Sequence, residues 1–378
     1  MRRAIVVGGG IGGLTAALSL RSKGWRVEVH ERAEALENVG SGLAVASNAL
    51  RALDTIGLGE RVRDLEAFQG YAAGVRTWDG RWLMRTDQEA AVELFGDTTV
   101  VLKRPRLVSL LAGELDDGEL LLGSRVRSVD AEKGLVATDS GEREADLVVA
   151  ADGIRSSLRR SLLPEHPGPV YSGQVTWRTV VPHLPENLTA TEFWGRGRLV
   201  ATMPLSSRET YVYASALLPE RGKAPDEKRL LLDMFDGWAE PVGELLEKAE
   251  PEKVLRNDVY FMETPIPRMS VGKVAFLGDA AHGMTPNLGQ GACQAIEDAV
   301  VLAHHLDKGT GLDGYDRDRR PRTAMVVKRS KRTQDMALQS NPAAVAIRNA
   351  GVRLVSRFAA RSSFKSLAPV LGWRPPAD

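Results

Sequence analysis

The stretch Gly278-Asp279-Ala280-Ala281-His282-Gly283-Met284-Thr285-Pro286-Asn287-Leu288-Gly289-Gln290-Gly291 decides the fold. It follows the apolar run 274–277, which predicts a strand, and precedes the apolar-periodic run 292–306, which predicts a helix. An acidic side chain at the end of a strand can accept hydrogen bonds from the hydroxyls of a polyol chain. The free N–H groups at the start of a helix can face a group that becomes negatively charged. The stretch therefore predicts a site for a ligand that combines a polyol with an electron-rich ring.

A glycine-rich turn at the N-terminus indicates what this ligand is. The apolar run 4–7 is followed by Gly8-Gly9-Gly10-Ile11-Gly12-Gly13, a helical pattern through Lys23, and a predicted strand, 25–30, that ends at Glu31. Glycines at this spacing let the backbone approach a pyrophosphate, and an acidic residue about 20 residues later can hold ribose hydroxyls. Because a carboxylate at Glu31 would repel a 2′-phosphate, the pattern favours FAD or NAD over NADP as the resident nucleotide. A flavin, which becomes anionic on reduction, also suits the stretch 278–291.

Composition excludes several classes of protein. The chain has 378 residues, 50 Lys and Arg against 49 Asp and Glu, and a net charge of +1, which gives no general argument for nucleic acid. The single cysteine, Cys293, permits no internal disulfide and favours a cytoplasmic location. No apolar stretch approaches the roughly 18 residues that a transmembrane segment needs. No His/Cys cluster has metal-ligand spacing, so no metal is expected.

The order of the patterns predicts an α/β fold in which two domains are interleaved. The regions near 8–31 and 279–291 can share one ligand only if the residues between them loop out as a separate unit. We therefore expect a Rossmann-like FAD-binding domain interleaved with a mostly antiparallel β-sheet substrate domain, plus C-terminal helices. The FAD-binding domain comprises 1–70, 101–169 and 269–310, the substrate domain comprises 71–100 and 170–268, and the helical region is 311–378. Within the substrate domain, 228–247 predicts a single helix.

Three ordered motifs resemble the single-component FAD-dependent monooxygenases related to p-hydroxybenzoate and salicylate hydroxylases. They are 8–13 with Glu31-Arg32, Asp152-Gly153 within 150–156, and Gly278-Asp279 with the loop 286–291. Weaker matches are the loop 40–43 leading to Asn48, Arg104 followed by Leu107, and Trp177-Arg178. The resemblance covers nearly the whole chain. It implies hydroxylation of a small aromatic or similarly electron-rich substrate with O2, through a flavin C4a-hydroperoxide, with NADPH or NADH as a transient reductant.

The resemblance also implies roles for individual residues. Glu31 would bind the adenosine ribose, Arg32 would lie beside the adenine end, and Val126 would contact adenine through its backbone. Arg104 would reach the pyrophosphate or the ribityl chain, and Asp152-Gly153 belongs to a segment linked with both FAD and NAD(P)H. Asp279 would hold the ribityl chain, Pro286 would pack beside the flavin, and 289–292 would lie near its pyrimidine edge. The full predicted cofactor set is Gly8, Gly10, Gly12, Gly13, Glu31, Arg32, Gly42, Leu43, Arg104, Val126, Asp152, Gly153, Asp279, Pro286, Gly289, Gln290, Gly291 and Ala292.

No catalytic acid or base is assigned, and the pocket candidates have alternative interpretations. Tyr211 and Tyr213 could line a pocket over the flavin, as could Trp194, although aromatic residues on strands are often ordinary core. Arg178 could hold an acidic substrate or a loop. His282 could be a base, but packing or hydrogen bonding explains it as well. Cys293 lies one turn into an apolar helix and is expected to be a small core residue.

Alternative functions remain open at this point. The same FAD domain would serve a flavin oxidoreductase without oxygen insertion, such as a double-bond reductase, and the same intermediate would serve an epoxidase or an N-hydroxylase. A redox-sensing flavoprotein is a non-enzymatic alternative. The basic tail from Arg317 onward, including 328–332, predicts a solvated helix face or a contact with an acidic partner or a membrane. The substrate, the choice of NADH or NADPH and the oligomeric state are left open.

Overall fold

The computed structural model describes residues 1–36, 41–65, 68–70, 72–358 and 365–377. Its strands, in chain order, are β1 (Arg3–Val7), β2 (Arg26–His30), β3 (Gly42–Val45), β4 (Phe68–Gln69), β5 (Gly74–Thr77), β6 (Trp82–Arg85), β7 (Val100–Lys103), β8 (Leu120–Leu121), β9 (Val126–Asp130), β10 (Leu135–Thr138), β11 (Gly141–Glu144), β12 (Leu147–Ala150), β13 (Val170–Val181), β14 (Thr191–Trp194), β15 (Arg198–Pro204), β16 (Thr210–Leu217), β17 (Leu255–Phe261), β18 (Ser270–Val271) and β19 (Val274–Phe276).

The helices alternate with these strands in the first half of the chain and dominate its end. They are α1 (Ile11–Ser22), α2 (Ser47–Asp54), α3 (Gly59–Arg63), α4 (Gln88–Phe95), α5 (Arg104–Ala112), α6 (Ser157–Leu162), α7 (Glu227–Met234), α8 (Val242–Lys248), α9 (Asp279–His282), α10 (Gly291–Asp307), α11 (Gly311–Ala337), α12 (Pro342–Phe358) and α13 (Ala368–Leu371). Short 3₁₀ turns lie at Pro251–Lys253 and Pro286–Leu288. Among the helices described, none is long and apolar enough to cross a membrane.

A central sheet joins strands that are far apart in the sequence. Within the described residues it has six strands in the order β18-β19-β12-β1-β2-β8. β1 pairs in parallel with β12 and β2, and β12 pairs in parallel with β19. The inner strands are almost continuously apolar and buried, as expected for a parallel sheet covered on both faces. The chain therefore leaves this sheet after residue 150 and returns to it near residue 270.

The two glycine-rich motifs pack directly on each other at one edge of this sheet. A Cβ added to Gly12 of α1 would lie 2.7 Å from Cδ2 of Leu277 and 3.0 Å from Cβ of Ala295 on α10. A Cβ added to Gly278 would lie 3.1 Å from the same Ala295 Cβ. Small residues at these three positions let α1 approach α10 closely. The N-terminal turn and the stretch 278–291 are thereby held together.

A larger sheet forms the second layer of the molecule. In the described part of the chain it has seven strands in the order β17-β13-β16-β15-β14-β5-β6, antiparallel except for the β14–β5 pair. One face buries Val175, Trp177 and Val212 against α7 and α8. The opposite face carries Arg178, Tyr211 and the other side chains that alternate with the buried ones along each strand. A strand covered by helices on only one face leaves its second face for another contact.

Two local predictions were wrong, and both failures have a physical cause. The single helix predicted for 228–247 is split into α7 and α8, because Gly237 adopts a φ of +68° and Pro241 cannot donate a backbone hydrogen bond. The assignment of 71–100 to the mostly antiparallel sheet omitted α4, which Asp87 begins by accepting a hydrogen bond from the Ala90 N–H at 3.0 Å. Gly40, in the predicted loop 40–43, lies outside the described residues.

The C-terminal helices fasten both layers. α11 packs along α10, and α12 packs against β6. α13 then returns to the first layer, where Ser47 Oγ donates to the Leu371 carbonyl at 3.0 Å. The Arg51 guanidinium donates through Nε to the Trp373 carbonyl at 3.0 Å. The C-terminal segment is thus fixed against α2 in the first layer.

The N-terminal turn supports a prediction about stability. Gly13→Ala should lower the free energy of unfolding of the apoprotein by roughly 1–3 kcal/mol, because the added Cβ would lie 2.0 Å from the Gly8 carbonyl oxygen. Gly10→Ala is the control, since its Cβ would meet nothing within 4 Å and its φ is −78°. It should stay within about 1 kcal/mol of the parent. Urea unfolding followed by circular dichroism measures both, and equal losses would contradict the packing described.

Candidate active site

The N-terminal turn presents an uncapped helix start to open space. Gly8 adopts a φ of +115°, and a Cβ there would lie 2.4 Å from the Ala151 carbonyl oxygen, so Gly8 backs onto the segment that ends in Asp152. Gly10, by contrast, faces space with no atom within 4 Å of an added Cβ. α1 begins with Gly10 as its N-cap and no side chain caps it. Its first N–H groups can therefore receive a pyrophosphate.

The acidic residue after β2 closes the turn from the other side. One oxygen of the Glu31 carboxylate accepts from the Gly9 N–H at 2.7 Å and the other accepts from the Ala33 N–H at 2.9 Å. The Ser124 N–H donates to the Glu31 carbonyl at 2.8 Å. This contact brings Val126, the first residue of β9, to the same edge, where Arg32 is exposed. The predicted adenosine-end residues are thus neighbours in space.

Asp152 and Arg104 lie on two further sides of this opening. The Oδ2 atom of Asp152 accepts from the Ser157 N–H at 2.8 Å, whereas its Oδ1 atom is buried and has no hydrogen-bond partner among the described residues. Gly153 follows with a φ of +80° and open space in front of it. The Arg104 N–H donates to the Ser41 carbonyl at 2.9 Å, which places Arg104 beside the loop that carries Gly42 and Leu43. An unsatisfied buried oxygen at this edge fits a ligand that supplies a hydroxyl group.

The stretch 278–291 places its acidic residue next to a helix start. Asp279 is exposed at the beginning of α9, and in the part of the chain described its carboxylate has no hydrogen-bond partner. A Cβ added to Gly291 would lie 3.9 Å from Asp279 Oδ1. Pro286 begins the 3₁₀ turn that leads to Gly289, whose φ is +63°. No side chain caps α10, so the N–H groups near Ala292 stay available to an anionic ring edge.

The three pocket candidates share the uncovered face of the larger sheet. Arg178 lies opposite Tyr213, and Val180 lies opposite Tyr211. A Cβ added to Gly42 would lie 2.4 Å from Cδ1 of the Tyr211 ring, so this face packs directly on β3. Farther along β3, Ala44 lies beside Gly289, whose added Cβ would be 3.8 Å from the Ala44 Cβ. The sheet face and the flavin motif therefore meet across β3.

A family model described as "FAD binding domain" matches residues 2–330. The chain belongs to this FAD-binding family. Its relatives include a named monooxygenase, the aurachin C monooxygenase/isomerase, so the chain is an FAD-dependent monooxygenase with FAD as its cofactor. The predicted family, the α/β fold class, the enzyme class and FAD-dependent hydroxylation of aromatic compounds are thereby confirmed. The roles of individual residues stay predictions.

Relatives of this flavoprotein monooxygenase span most or nearly all of its length. Aurachin C monooxygenase/isomerase of Stigmatella aurantiaca is 38% identical over 317 residues, which cover 80% of this chain and 80% of that protein. 2-Heptyl-3-hydroxy-4(1H)-quinolone synthase of Pseudomonas aeruginosa is 33% identical and covers 97% of this chain and 98% of its own. The crystal structure of Klebsiella pneumoniae HpxO complexed with FAD and uric acid has a TM-score of 0.88 at 28% identity, covering 98% and 96% of the two chains.

The sequence missed Glu192, which lies on the same sheet face as the pocket candidates. The register places Glu192, Ala201, Tyr213 and Arg178 in one row across four strands. Glu192 accepts a hydrogen bond from Trp194 Nε1 at 2.8 Å, and burial raises the pKa of its carboxyl. No sequence motif marks this position, because its inward orientation follows only from the strand register.

Burial raises the pKa of both tyrosines further above neutral pH. It raises the pKa of Tyr211 to about 12, and it also raises the pKa of Tyr213. The Tyr213 hydroxyl accepts from Gln174 Nε2 at 2.9 Å, so its own proton can be donated elsewhere. Trp194, in contrast, packs with Leu83 and Leu338 at the far end of the sheet.

A buried ion cluster, which sequence reasoning also missed, holds the flavin motif from behind. Asp298 of α10 is fully buried, and its Oδ2 atom accepts from the Gly278 N–H at 2.9 Å and from His282 Nε2 at 2.5 Å. Its Oδ1 atom accepts from Arg319 Nε at 2.6 Å. Burial opposes ionisation, but the Coulombic effects of His282 and Arg319 outweigh it and hold the pKa of Asp298 below its usual value. His282, considered above as a base, thus anchors the turn that bears Asp279.

The second half of this ion cluster fixes the start of α10. Glu297 is fully buried and accepts from Arg319 Nη1 at 2.5 Å and from Arg322 Nη2 at 2.7 Å. The amide of Asn48 donates to Glu297 at 2.6 Å and to Gln290 at 3.0 Å. Gln290 immediately precedes Gly291. The two anionic residues of α10 therefore position both predicted contacts with the flavin rings and ribityl chain.

The single cysteine of the chain, Cys293, lies behind the flavin loop. Cys293 is completely buried, with Sγ 3.5 Å from the Ala44 carbonyl oxygen and 3.6 Å from the Gly289 carbonyl oxygen. Burial raises the pKa of its thiol to about 12. It packs as a small residue behind the flavin loop. Among the described residues, no group of three or more His, Cys, Asp or Glu side chains could hold a metal ion.

The exposed carboxylate of Asp279 gives a prediction about FAD affinity. Asp279→Ala should weaken FAD binding by roughly 10- to 150-fold, the equivalent of a lost hydrogen bond to a charged group of about 1.5–3 kcal/mol. The thermal unfolding of the apoprotein should not change. Asp236→Ala, which removes another exposed carboxylate, is the control. Titration of apoprotein with FAD by fluorescence quenching measures both, and an unchanged affinity in Asp279→Ala refutes the ribityl role.

The ion cluster gives a prediction about stability and pH. Arg319→Met should cost about 3–5 kcal/mol of unfolding free energy at pH 7, because it removes the buried cation that Glu297 and Asp298 share. Arg229→Met, which breaks an exposed pair 2.8 Å from Asp233, should cost at most about 1 kcal/mol.

The pH dependence follows from the lowered pKa of Asp298 in the folded protein. Its ionic contribution is fully present above the unfolded value of about 4 and is lost as pH falls toward the folded value. The deficit of Arg319→Met should therefore shrink below about pH 4. Urea unfolding at pH 7 and pH 3.5 tests this, and a deficit that grows in acid contradicts it.

Proposed function

We propose that this monooxygenase hydroxylates a fused, nitrogen-containing aromatic ring that bears an apolar substituent, with O2 and NADPH or NADH as co-substrates. The observation that carries the proposal is the unpartnered Arg178 Nε atom, which is buried on the sheet face beside an apolar cluster. Arg178 Nη2 donates to Asn257 Oδ1 at 2.6 Å, so the guanidinium is held in place while Nε has no partner among the described residues. A substrate oxygen would satisfy it.

The apolar cluster supports an apolar substituent on the substrate. It consists of Tyr211, Val101 and Leu205, with Ala44, Phe68, Val180, Met203 and Tyr213 packed around them. Through Ala44 this cluster adjoins Gly289 of the flavin motif. Uric acid carries polar groups on every edge and would leave them without partners against such a surface. A quinolone with an alkyl chain would place its chain there and its ring oxygen toward the polar row.

Two relatives support a fused nitrogen-containing ring. The Pseudomonas relative is named for a quinolone that carries a heptyl chain, and HpxO was crystallised with uric acid. Both molecules are fused rings that contain nitrogen. The relatives thus support the ring class, and the apolar cluster of this chain supports the alkyl-bearing member of that class.

We propose that FAD is held by the set of residues predicted from the sequence. The N-terminal turn and the N–H groups of α1 would receive the pyrophosphate, Glu31 the adenosine ribose, and Asp279 the ribityl chain. The N–H groups at Gly291 and Ala292 would stabilise negative charge at the pyrimidine edge, an effect of about 0.3–2 kcal/mol. When bound, FAD takes up hydride from NAD(P)H and activates O2 for insertion of one oxygen atom into the substrate.

The chain's own residues would orient the substrate and exclude water. Arg178 would bind a ring oxygen in its anionic form, and the neutral Tyr213 hydroxyl would donate a hydrogen bond to the same or an adjacent oxygen. Tyr211, packed on Gly42, would close one side of the reaction space against solvent. Glu192, with its raised pKa, would hold a proton at its carboxyl close to this row.

The domain boundaries and the location are also proposals. The division at residues 70, 100, 169, 268 and 310 is supported by the strand order, since strands from 3–30, 120–121, 147–150 and 270–276 share one sheet while those from 74–85 and 170–261 share another. A cytoplasmic location is supported by the single cysteine, Cys293, which is buried and free.

A substrate panel tests the proposed function. The holoenzyme is assayed with 2-alkyl-4(1H)-quinolones from methyl to heptyl, unsubstituted 4(1H)-quinolone, uric acid and salicylate. We expect substrate-stimulated NAD(P)H oxidation and incorporation of one labelled atom from ¹⁸O2, with kcat/KM rising at least tenfold from methyl to heptyl. Consumption of NAD(P)H without labelled product, or a preference for uric acid, contradicts the proposal.

Variants test the assigned contacts in the same assay. Arg178→Met should lower kcat/KM about 10- to 100-fold, as expected for a lost charged hydrogen bond of about 1.5–3 kcal/mol, while FAD affinity stays unchanged. Arg196→Met, which removes an exposed guanidinium at the sheet's edge, is the matched control. An Arg178→Met enzyme with parental kcat/KM would remove Arg178 from the substrate site.

A further inference from the structure

Helix α12 is held firmly on one side and exposed on the other. The Arg348 guanidinium donates to the Ala337 carbonyl at 2.9 Å and lies over the Trp194 ring, 5.3 Å from its centroid. Val352, one turn later, packs against the cluster formed by Trp194, Leu83 and Leu338. These contacts fix the rotation of the helix. The side opposite Arg348 and Val352 is therefore turned to solvent in a defined way.

The solvent side of α12 is apolar. Ile347 is 74% exposed and Leu354 is 61% exposed. Ile347 and Leu354 lie seven residues apart, which places them on one stripe of the helix. Gly351 lies between them, and a Cβ there would meet nothing within 4 Å. The remaining exposed positions of the stripe are alanines: Ala343, Ala346 and Ala350.

The charge around this stripe has one sign. No acidic residue occurs between Pro342 and Phe358, and Arg353 and Arg357 are both exposed. From Leu338 to the end of the chain the sequence has six basic residues and a single acid, Asp378, although the whole chain has a net charge of only +1. Basic side chains beside exposed Ile and Leu on a helix whose other side is fixed are the pattern of a helix that lies in a lipid interface.

We propose that the α12 face, defined as Ala343, Ala346, Ile347, Ala350, Gly351 and Leu354 with Arg353 at its margin and Arg357 at its C-terminal end, docks on the surface of an anionic lipid bilayer. The apolar stripe would enter the boundary between headgroups and acyl chains, and the arginines would contact lipid phosphates. A second copy of this chain is a poorer occupant, because two such faces would bring like charges together. The monooxygenase would thus work as a peripheral protein at a membrane surface.

Vesicle flotation of the FAD-loaded protein tests this proposal. Vesicles of phosphatidylcholine alone are compared with vesicles that contain phosphatidylglycerol, at low and high salt. We expect the protein to float with the anionic vesicles and the bound fraction to fall at high salt. The double variant Ile347→Ser/Leu354→Ser should bind at least tenfold more weakly, and Arg353→Glu should lose binding to anionic vesicles selectively.

A matched control distinguishes membrane binding through the α12 face from nonspecific binding through any exposed apolar side chain. Val92 and Leu94 of α4 are 44% and 41% exposed, and α4 carries the acidic residues Glu89 and Glu93. Val92→Ser/Leu94→Ser should float like the parent. Retained flavin absorbance in every variant shows that the fold is intact. The test needs no substrate, so its result is independent of the proposed substrate class.

Three outcomes would overturn the proposal. One is a parent protein that stays with the soluble fraction in all vesicle mixtures. Another is an Ile347→Ser/Leu354→Ser variant that floats as well as the parent. The third is sedimentation equilibrium in which the parent is a dimer and this variant is a monomer, because the face would then be covered by a second copy.

Discussion

The buried carboxylates of Glu297 and Asp298 are the constraint on which the rest of this structure depends. Each is removed from water and each is compensated by Arg319, a cation that comes from a different helix. Separating one charged partner from such a cluster leaves an uncompensated charge in the interior. The helices are therefore held in a single relative position. That position brings the turn at Gly278 and the start of α10 to fixed places, although neither the turn nor the helix start is rigid by itself.

The same cluster explains why the last third of the chain matters to a motif near its beginning. Asn48, on α2, donates to both Gln290 and Glu297, while Arg322 on α11 donates to the carbonyls of the C-terminal segment at 369–370. Elements from four separate regions of the sequence converge on one pair of acidic side chains. The flavin motif is therefore supported by contacts that none of its own residues could supply.

The FAD-binding domain could be predicted from the sequence because the residues of its first motif lie close together in the chain. The strand, the glycine turn and the acidic residue at Glu31 occur within one short segment, and their spacing predicts that Glu31 lies beside the glycine turn. In the structure its carboxylate accepts from the Gly9 N–H. The pairing of β1 with β12 and of β12 with β19 follows from the need to join distant motifs. Sequence patterns of this kind predict geometry because the backbone between the residues is short and regular.

The orientation of side chains in the substrate domain could not be predicted from the sequence in the same way. Whether Glu192 faces the pocket or the covering helices depends on a strand register, and a shift of one residue reverses every side chain. The role of Arg319 was hidden for another reason: within a run rich in arginine, an internal cation has the same sequence pattern as a surface one. The sequence does contain the residues that break the helix, Gly237 and Pro241. The apolar spacing of 228–247 nevertheless predicts one continuous helix.

The packing of Tyr211 on Gly42 has a consequence for how this enzyme can diversify. The Tyr211 ring, which we propose as one wall of the reaction space, also packs on Gly42 of the strand that leads toward the flavin motif. A mutation that reshapes this wall to admit a different compound would simultaneously remove the support of that strand. Acquiring a new specificity at this position and keeping the prosthetic group are therefore opposed, and we expect adaptation to be easier at another member of the same apolar cluster, such as Met203.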